Sequence, residues 1–188
     1  MKDKKYFFGI DVSLSNTGVA IFDLETKKLV KVTSISTAVT KKTGLRDNPN
    51  HNNKNMITGI KLKHIYDNLV ELKEKFPPQF VVIERGFTRF NNSTQASFRV
   101  HGIVNLVFSE VENFYYIPSE IKETIFNSGK AQKSDLANLI TERLGYTFDN
   151  EDESDATAIG LSWLIKNKKI DWEKCNKPVT KKEKKKSK

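Results

Sequence analysis

The sequence predicts an α/β domain on a five-stranded mixed sheet, three antiparallel strands followed by two parallel ones, with helices flanking it. Three observations predict it. Three short strand-like runs, separated by tight turns, occupy the first 36 residues. Two more apolar runs follow, each set off from its neighbours by a stretch of helical periodicity, the spacing of parallel strands joined through helices. Hydrophobic residues make up 37% of 188 residues and include twelve Phe, enough core for one domain and too little for two.

The elements follow in order. Residues 6–12, YFFGIDV, form an apolar strand that ends at an acid. After the SLSN turn, TGVAIFD over 17–23 is the second strand, and after ETKK the alternating LVKVTSIS over 29–36 is the third. Residues 37–55 lose all period and hold Gly44, Pro49 and five Asn, a long polar loop. From Met56 to Phe76, Ile57, Ile60, Ile65, Leu69 and Leu72 recur at helical spacing until Pro77-Pro78 stops the helix. FVVIE over 80–84 is a buried strand that again ends in an acid. Residues 93–112 read as helix and FYYI over 114–117 as the last strand. Two short helices then flank Ser128-Gly129, and a final helix runs from Ser154 to Lys168 behind the acidic start NEDES.

Charge is unevenly spread. The net charge is +9, yet residues 164–188 alone hold eleven Lys against three acids, so the body is nearly neutral. A domain over 1–168 followed by a basic tail over 169–188 is therefore expected. The tail has too little apolar surface to fold alone and is suited to non-specific phosphate attraction or to solubility. The single cysteine, Cys175, excludes an intramolecular disulfide, and no Cys/His cluster suits zinc. With no signal-peptide pattern and no long apolar run, a cytoplasmic protein without a membrane partner is expected.

The chemistry lies in the acids. Asp11 and Glu84 each end an apolar strand, and Asp152 and Asp155 are three residues apart at the start of the last helix, on one face if that turn is helical. Helix capping accounts for one or two acids near a helix start. It does not account for two separate strands that also deliver acids at their ends. Carboxylates gathered in one place repel one another and become tolerable when cations share the site. Oxygen donors without thiolates favour Mg²⁺ or Mn²⁺. Two such ions roughly 4 Å apart suit hydrolysis of a phosphodiester.

In order along the chain, GIDVSLSNTG, VVIERGF and DESDATA resemble the motifs of the RuvC-type Holliday junction resolvases, a branch of the RNase H-like and retroviral-integrase superfamily. The resemblance runs from Tyr6 to Trp163 and is nearest to diverged versions carried by phages of low-GC Gram-positive bacteria. It implies an RNase H-like fold and a Mg²⁺-dependent endonuclease, with Mn²⁺ able to substitute and two ions per site. Such an enzyme resolves Holliday junctions and related branched DNA, leaves 5′-phosphate and 3′-hydroxyl nicks, and works as a homodimer, here in a bacterial host cytoplasm. It assigns Asp11, Glu84, Asp152 and Asp155 to metal binding and catalysis, with Asp11 bridging both ions. It also sets Lys122 and Lys133 of IKETIFNSGKAQKSDL on basic, phosphate-contacting positions, with Lys130 and Arg85 as further candidates. Phe87, three residues past Glu84, is a candidate for stacking on an unpaired base, the alternative being a core position. The family's Pro-Gly after the first acid is here Val12-Ser13, and the 37–55 loop is longer than usual.

The helix over 93–112, with Val100, Ile103, Val104, Leu106, Val107 and Phe108, is the candidate dimer interface. Two other readings use the same residues. One is a fork, flap or RNase H-type nuclease; the other is a catalytically inactive nucleic-acid-binding protein whose acids only cap and solubilise.

Overall fold

The computed structural model of the chain describes residues 5–85, 92–126 and 133–172. Five strands stand in the order β3-β2-β1-β4-β5. β1 (Tyr6–Asp11), β2 (Asn16–Asp23) and β3 (Leu29–Ser36) make an antiparallel meander. β4 (Pro78–Glu84) pairs in parallel with β1, and β5 (Glu112–Tyr116) in parallel with β4. Five α-helices are described: α1 (Ile57–Lys75), α2 (Asn92–Val107), α3 (Pro118–Phe126), α4 (Lys133–Leu144) and α5 (Glu151–Lys166). This is the RNase H-like α/β architecture that the sequence predicts.

Strand side chains alternate between faces, so each strand feeds two cores. Phe8, Ile10, Val19, Ile21, Val81 and Ile83 pack under α1 and α2, against Ile65, Leu69, Val100, Val104 and Phe108. Phe7, Phe22, Phe80 and Val82 pack under α3, α4 and α5, against Ile121, Ile125, Ile140 and Ile159. The Phe7 ring stacks between Phe22 and Phe80 at 4.9 Å from each. Trp163 of α5 lies over Phe80 at 4.3 Å. Aromatic stacking of this kind ties the last helix to the central strands.

Several boundaries differ from the sequence expectation: β4 and β5 each begin two residues early, at Pro78 and Glu112, and α5 ends at Lys166 rather than Lys168. α2 stops at Val107 rather than 112, because the Asn113 amide donates to the carbonyls of Phe108 (3.4 Å) and Val111 (3.0 Å), closing a turn there. Four of the six residues proposed for a dimer face, Val100, Val104, Val107 and Phe108, are buried in the chain's own core, against the sheet and α1. α5 starts at Glu151, three residues early. Asn150 caps it by accepting from the Glu153 N–H (3.1 Å), while the Glu153 carboxylate accepts from the Asp149 N–H (3.0 Å). The 37–55 segment is a chain of turns around a 3₁₀ turn at Leu45–Asp47, with Leu45 buried.

At the far end of the described chain Trp172 is buried. Its indole N–H donates to the Ile125 carbonyl (3.0 Å), and the Arg143 guanidinium lies 4.6 Å from its ring centre. Cys175 and most of the tail lysines lie outside the described residues. No described helix is long and apolar enough to cross a membrane.

Two strand glycines decide how closely α5 approaches. A Cβ at Gly9 would collide with the Ala156 carbonyl oxygen and the Gly160 nitrogen, and one at Gly18 with the Asp152 carbonyl. Backbone therefore lies on backbone, a use of glycine inside strands that a close neighbour explains. Gly9→Ala is expected to destabilise the fold by ~1–3 kcal/mol through overpacking. Gly59→Ala, in α1 with nothing within 4 Å of the added carbon, should be neutral or stabilise by up to ~1 kcal/mol. Urea denaturation of the two variants checks the contrast; equal effects would mean that α5 does not rest on β1 in this way.

Candidate active site

The two strand acids meet because of register and parity. Ile10 of β1 stands beside Ile83 of β4, so Asp11 and Glu84 are the next residues on neighbouring strands, whose backbones run about 4.8 Å apart. Both continue the faces of Phe7 and Gly9, and of Phe80 and Val82, and so project toward α5 rather than toward α1. α5 in turn begins at this end of the sheet, held down at Gly18, and brings Asp155 across.

Asp11, Glu84 and Asp155 line one cleft of about 200 Å³. Its remaining wall is Lys122, Pro118 and Ile121 from α3, Leu136 from α4 and Ala158 from α5. Asp11, Glu84, Asp155 and Lys122 are all partly buried, so their charges act through protein as well as water. Two wider grooves of about 760 Å³ exist elsewhere, but neither is lined by these acids.

Asp152 sits one turn before Asp155 and does not line the cleft. Its Oδ2 accepts a hydrogen bond from the Asn16 side-chain amide at the start of β2. Asn16 Oδ1 is buried and has no hydrogen-bond partner among the described residues. Asn16 escaped the sequence reading because nothing local marks it: it is a turn residue in SLSN, and its partner lies 136 positions away. Glycines inside β1 and β2 were the available signal that another backbone approaches there.

α3 is braced to present Lys122. Pro118 opens it, and the Glu120 carboxylate reaches back to accept from the Ile117 N–H (2.9 Å) and from Lys166 of α5 (3.1 Å). The Ile117 N–H first, and then Lys166, hold the Glu120 carboxyl below its ordinary value.

The other candidates are placed differently. Arg85 is exposed and lines a separate groove with Phe98, His101, Asn105 and Tyr115, on the α2 side of the sheet. Burial pushes the His101 imidazole toward its neutral form, and the residue is more deeply buried than a surface position would be. Lys133 is the first residue of α4, and its side chain lies outside what is described, as do Phe87 and Lys130 entirely.

Among the described residues no three His, Cys, Asp or Glu side chains close into a ready metal cage. The donor chemistry of the cleft nevertheless fits a hard divalent cation: three carboxylates, with neither thiolate nor imidazole in the lining.

Known proteins share both the sequence pattern and the fold. The family model described as crossover junction endodeoxyribonuclease RuvC matches residues 7–163. The RuvC of Prochlorococcus marinus subsp. pastoris is 28% identical over 160 residues, covering 83% of this chain and 94% of its own. Among solved structures, Thermus thermophilus RuvC superimposes with a TM-score of 0.67 at 21% identity, over 87% of this chain and 96% of that one. The same protein in complex with Holliday junction substrate gives 0.66 at 18%, covering 93% and 99%. The yeast mitochondrial Holliday junction resolvase gives 0.58 at 13%, covering 92% and 83%.

Two outcomes test the geometry. Because the Glu120 carboxyl is lowered, its stabilisation is present above the ordinary value of 4.5 and is lost as pH falls through the lower folded value. The melting-temperature gap between wild type and Glu120→Gln should therefore be widest near neutrality and close in acid. A double-mutant cycle of Asn16→Ala and Asp152→Ala should show a coupling of ~0.5–3 kcal/mol in denaturant unfolding; additive effects would mean the amide does not hold the carboxylate.

Proposed function

The chain belongs to the crossover junction endodeoxyribonuclease RuvC family, and from that premise we propose that it resolves four-way DNA junctions by hydrolysing phosphodiester bonds in the cleft of Asp11, Glu84 and Asp155. One observation carries the reading: carboxylates from three separate stretches of chain share one cleft with a lysine. A fold that only capped a helix would have no reason to bring the strand acids there.

Asp11, Glu84 and Asp155, with Asp152 beside them, are the groups to hold two Mg²⁺ ions, with Mn²⁺ as a substitute. The ions, when bound, activate water and stabilise the leaving 3′ oxygen. Asp11 would be the most rigidly held of these ligands, because its strand is paired on both sides. Asn16 keeps Asp152 oriented at the β2 side. Lys122 lines the same cleft and would position a phosphate against the carboxylates. The apolar wall of Pro118, Ile121, Leu136 and Ala158 limits water on that side and strengthens the charge interactions. Cleavage leaves a 5′ phosphate and a 3′ hydroxyl. Phe87, Lys130, Lys133 and Arg85 are proposed as further DNA contacts.

A four-way junction has two-fold symmetry, and paired incisions call for two sites, which a symmetric homodimer supplies. Support on this chain comes from α2, where Phe98 and Leu106 stay exposed, at 47% and 62%, beside the buried stripe.

Wild type and Asp11→Asn, offered a four-way junction, a fork, a flap and an RNA–DNA hybrid at one salt concentration, decide the substrate. The expectation is Mg²⁺-dependent cutting of the junction above the others, abolished by EDTA. Asp11→Asn should bind the junction and leave it uncut. Preference for the hybrid or the flap would move the assignment to another nuclease class, and full activity of Asp11→Asn would remove the site.

A further inference from the structure

We infer that the connection between β3 and α1, residues 37–56, is a preformed surface for the phosphate backbone of a double-stranded DNA arm beside the cleft. The inference rests on the nuclease reading and adds to it a surface outside the catalytic residues.

Placement comes first. β3 finishes at the same end of the sheet as Asp11, since Ser36 pairs with Asn16 and Gly18 with Asp11. The root of the connection is tied to the turn that follows Asp11. The Thr37 N–H donates to the Ser15 carbonyl (2.9 Å), and its hydroxyl donates to the Leu14 carbonyl (2.6 Å). With β3 two strands from β1, this root lies about 10 Å across the sheet from the Asp11 strand.

Shape comes second. The segment is polar in sequence, yet it is braced as a built element. The Thr43 hydroxyl donates to the Ala38 carbonyl (2.6 Å), and Gly44 turns the chain at a φ of 71°. Leu45 is buried and lines a groove with Met56 and Ile60 at the start of α1. Asn48 and Asn53 each accept from the N–H two residues on, at 2.9 and 3.0 Å, forming local turns. The His51 ring nitrogen lies 2.7 Å from the Asn48 carbonyl. A surface so ordered loses little entropy on binding.

Charge comes third. Lys41, Lys42, Arg46 and Lys54 are all exposed, against Asp47 as the segment's only acid. Among the described residues none of these four cations is paired with a carboxylate, whereas Lys63, Lys73 and Lys166 each are. Exposed Asn52, Asn53 and Asn55 add amide donors for phosphate and sugar oxygens. An ordinary solvated loop needs no such bracing, and four cations against one acid in twenty residues stand out on a near-neutral body.

The test is equilibrium binding of a synthetic four-way junction across a salt series in EDTA, so that nothing is cut. The variant Lys41→Gln/Lys42→Gln/Arg46→Gln/Lys54→Gln is expected to flatten the slope of log affinity against log salt by ~2–4, about 0.9 for each phosphate no longer neutralised. Affinity at moderate salt should fall about 10- to 100-fold for the same reason. Single-turnover cutting at saturating protein should stay at the wild-type rate. The control Lys5→Gln/Lys28→Gln removes two exposed cations at the opposite end of the sheet and should leave the slope unchanged. Should the fourfold variant melt early, Lys41→Glu/Lys42→Glu tests the same surface with two changes. An unchanged slope in a folded variant, or an equal drop in the control, overturns the surface while wild-type junction cutting leaves the nuclease reading standing. A wild type that neither binds nor cuts the junction overturns both.

Discussion

The last helix rests directly on the backbone of β1 and β2, because Gly9 and Gly18 remove the side chains that would hold it away. Everything in the cleft depends on that approach. Asp11 and Glu84 are set side by side by the parallel pairing of β1 with β4. Asp155 reaches them only if the first turns of the helix lie close against the sheet. The stacked rings of Phe7, Phe22, Phe80 and Trp163 hold the far half of the helix, and the capped turn at Asn150 sets where it begins. The glycines set its height above the strands.

Electrostatics explains the composition of the surroundings. Partly buried acids facing one another raise the free energy of the empty fold, and nearby positive charge offsets part of it. Lys122 supplies such charge from α3, which Glu120 and Lys166 brace from outside the cleft. The Glu120–Lys166 ion pair thus lies at the periphery, outside the lining of the cleft. Asp152 is handled separately, by a neutral amide that orients it without neutralising it.

A cleft of about 200 Å³ is far smaller than a branched DNA and cannot read one by itself. Selectivity for a junction must come from surfaces spread over tens of ångströms, acting on arms whose backbone is the shared feature. In this chain the body is nearly neutral while cations gather on the β3–α1 connection and in the tail. Local concentration of charge, rather than net charge, orients a polyanion relative to the cleft.

Much of this was legible in the residues themselves. Strand and helix type followed from apolar period, and the strand acids from their position after runs such as FVVI, because these signals depend on neighbours a few positions apart. The side to which Asp11 and Glu84 turn was not legible, because β1 and β4 are apolar on both faces and the register of Ile10 with Ile83 decides it. Only the tertiary structure decided the rest. The Asn16–Asp152 contact, the ending of α2 by Asn113, the core destination of Val100 and Val104, and the bracing of residues 37–56 all require partners whose identity sequence order does not carry. Local pattern determines what an element is and which face is apolar; what lies against that face is set by how the whole chain packs.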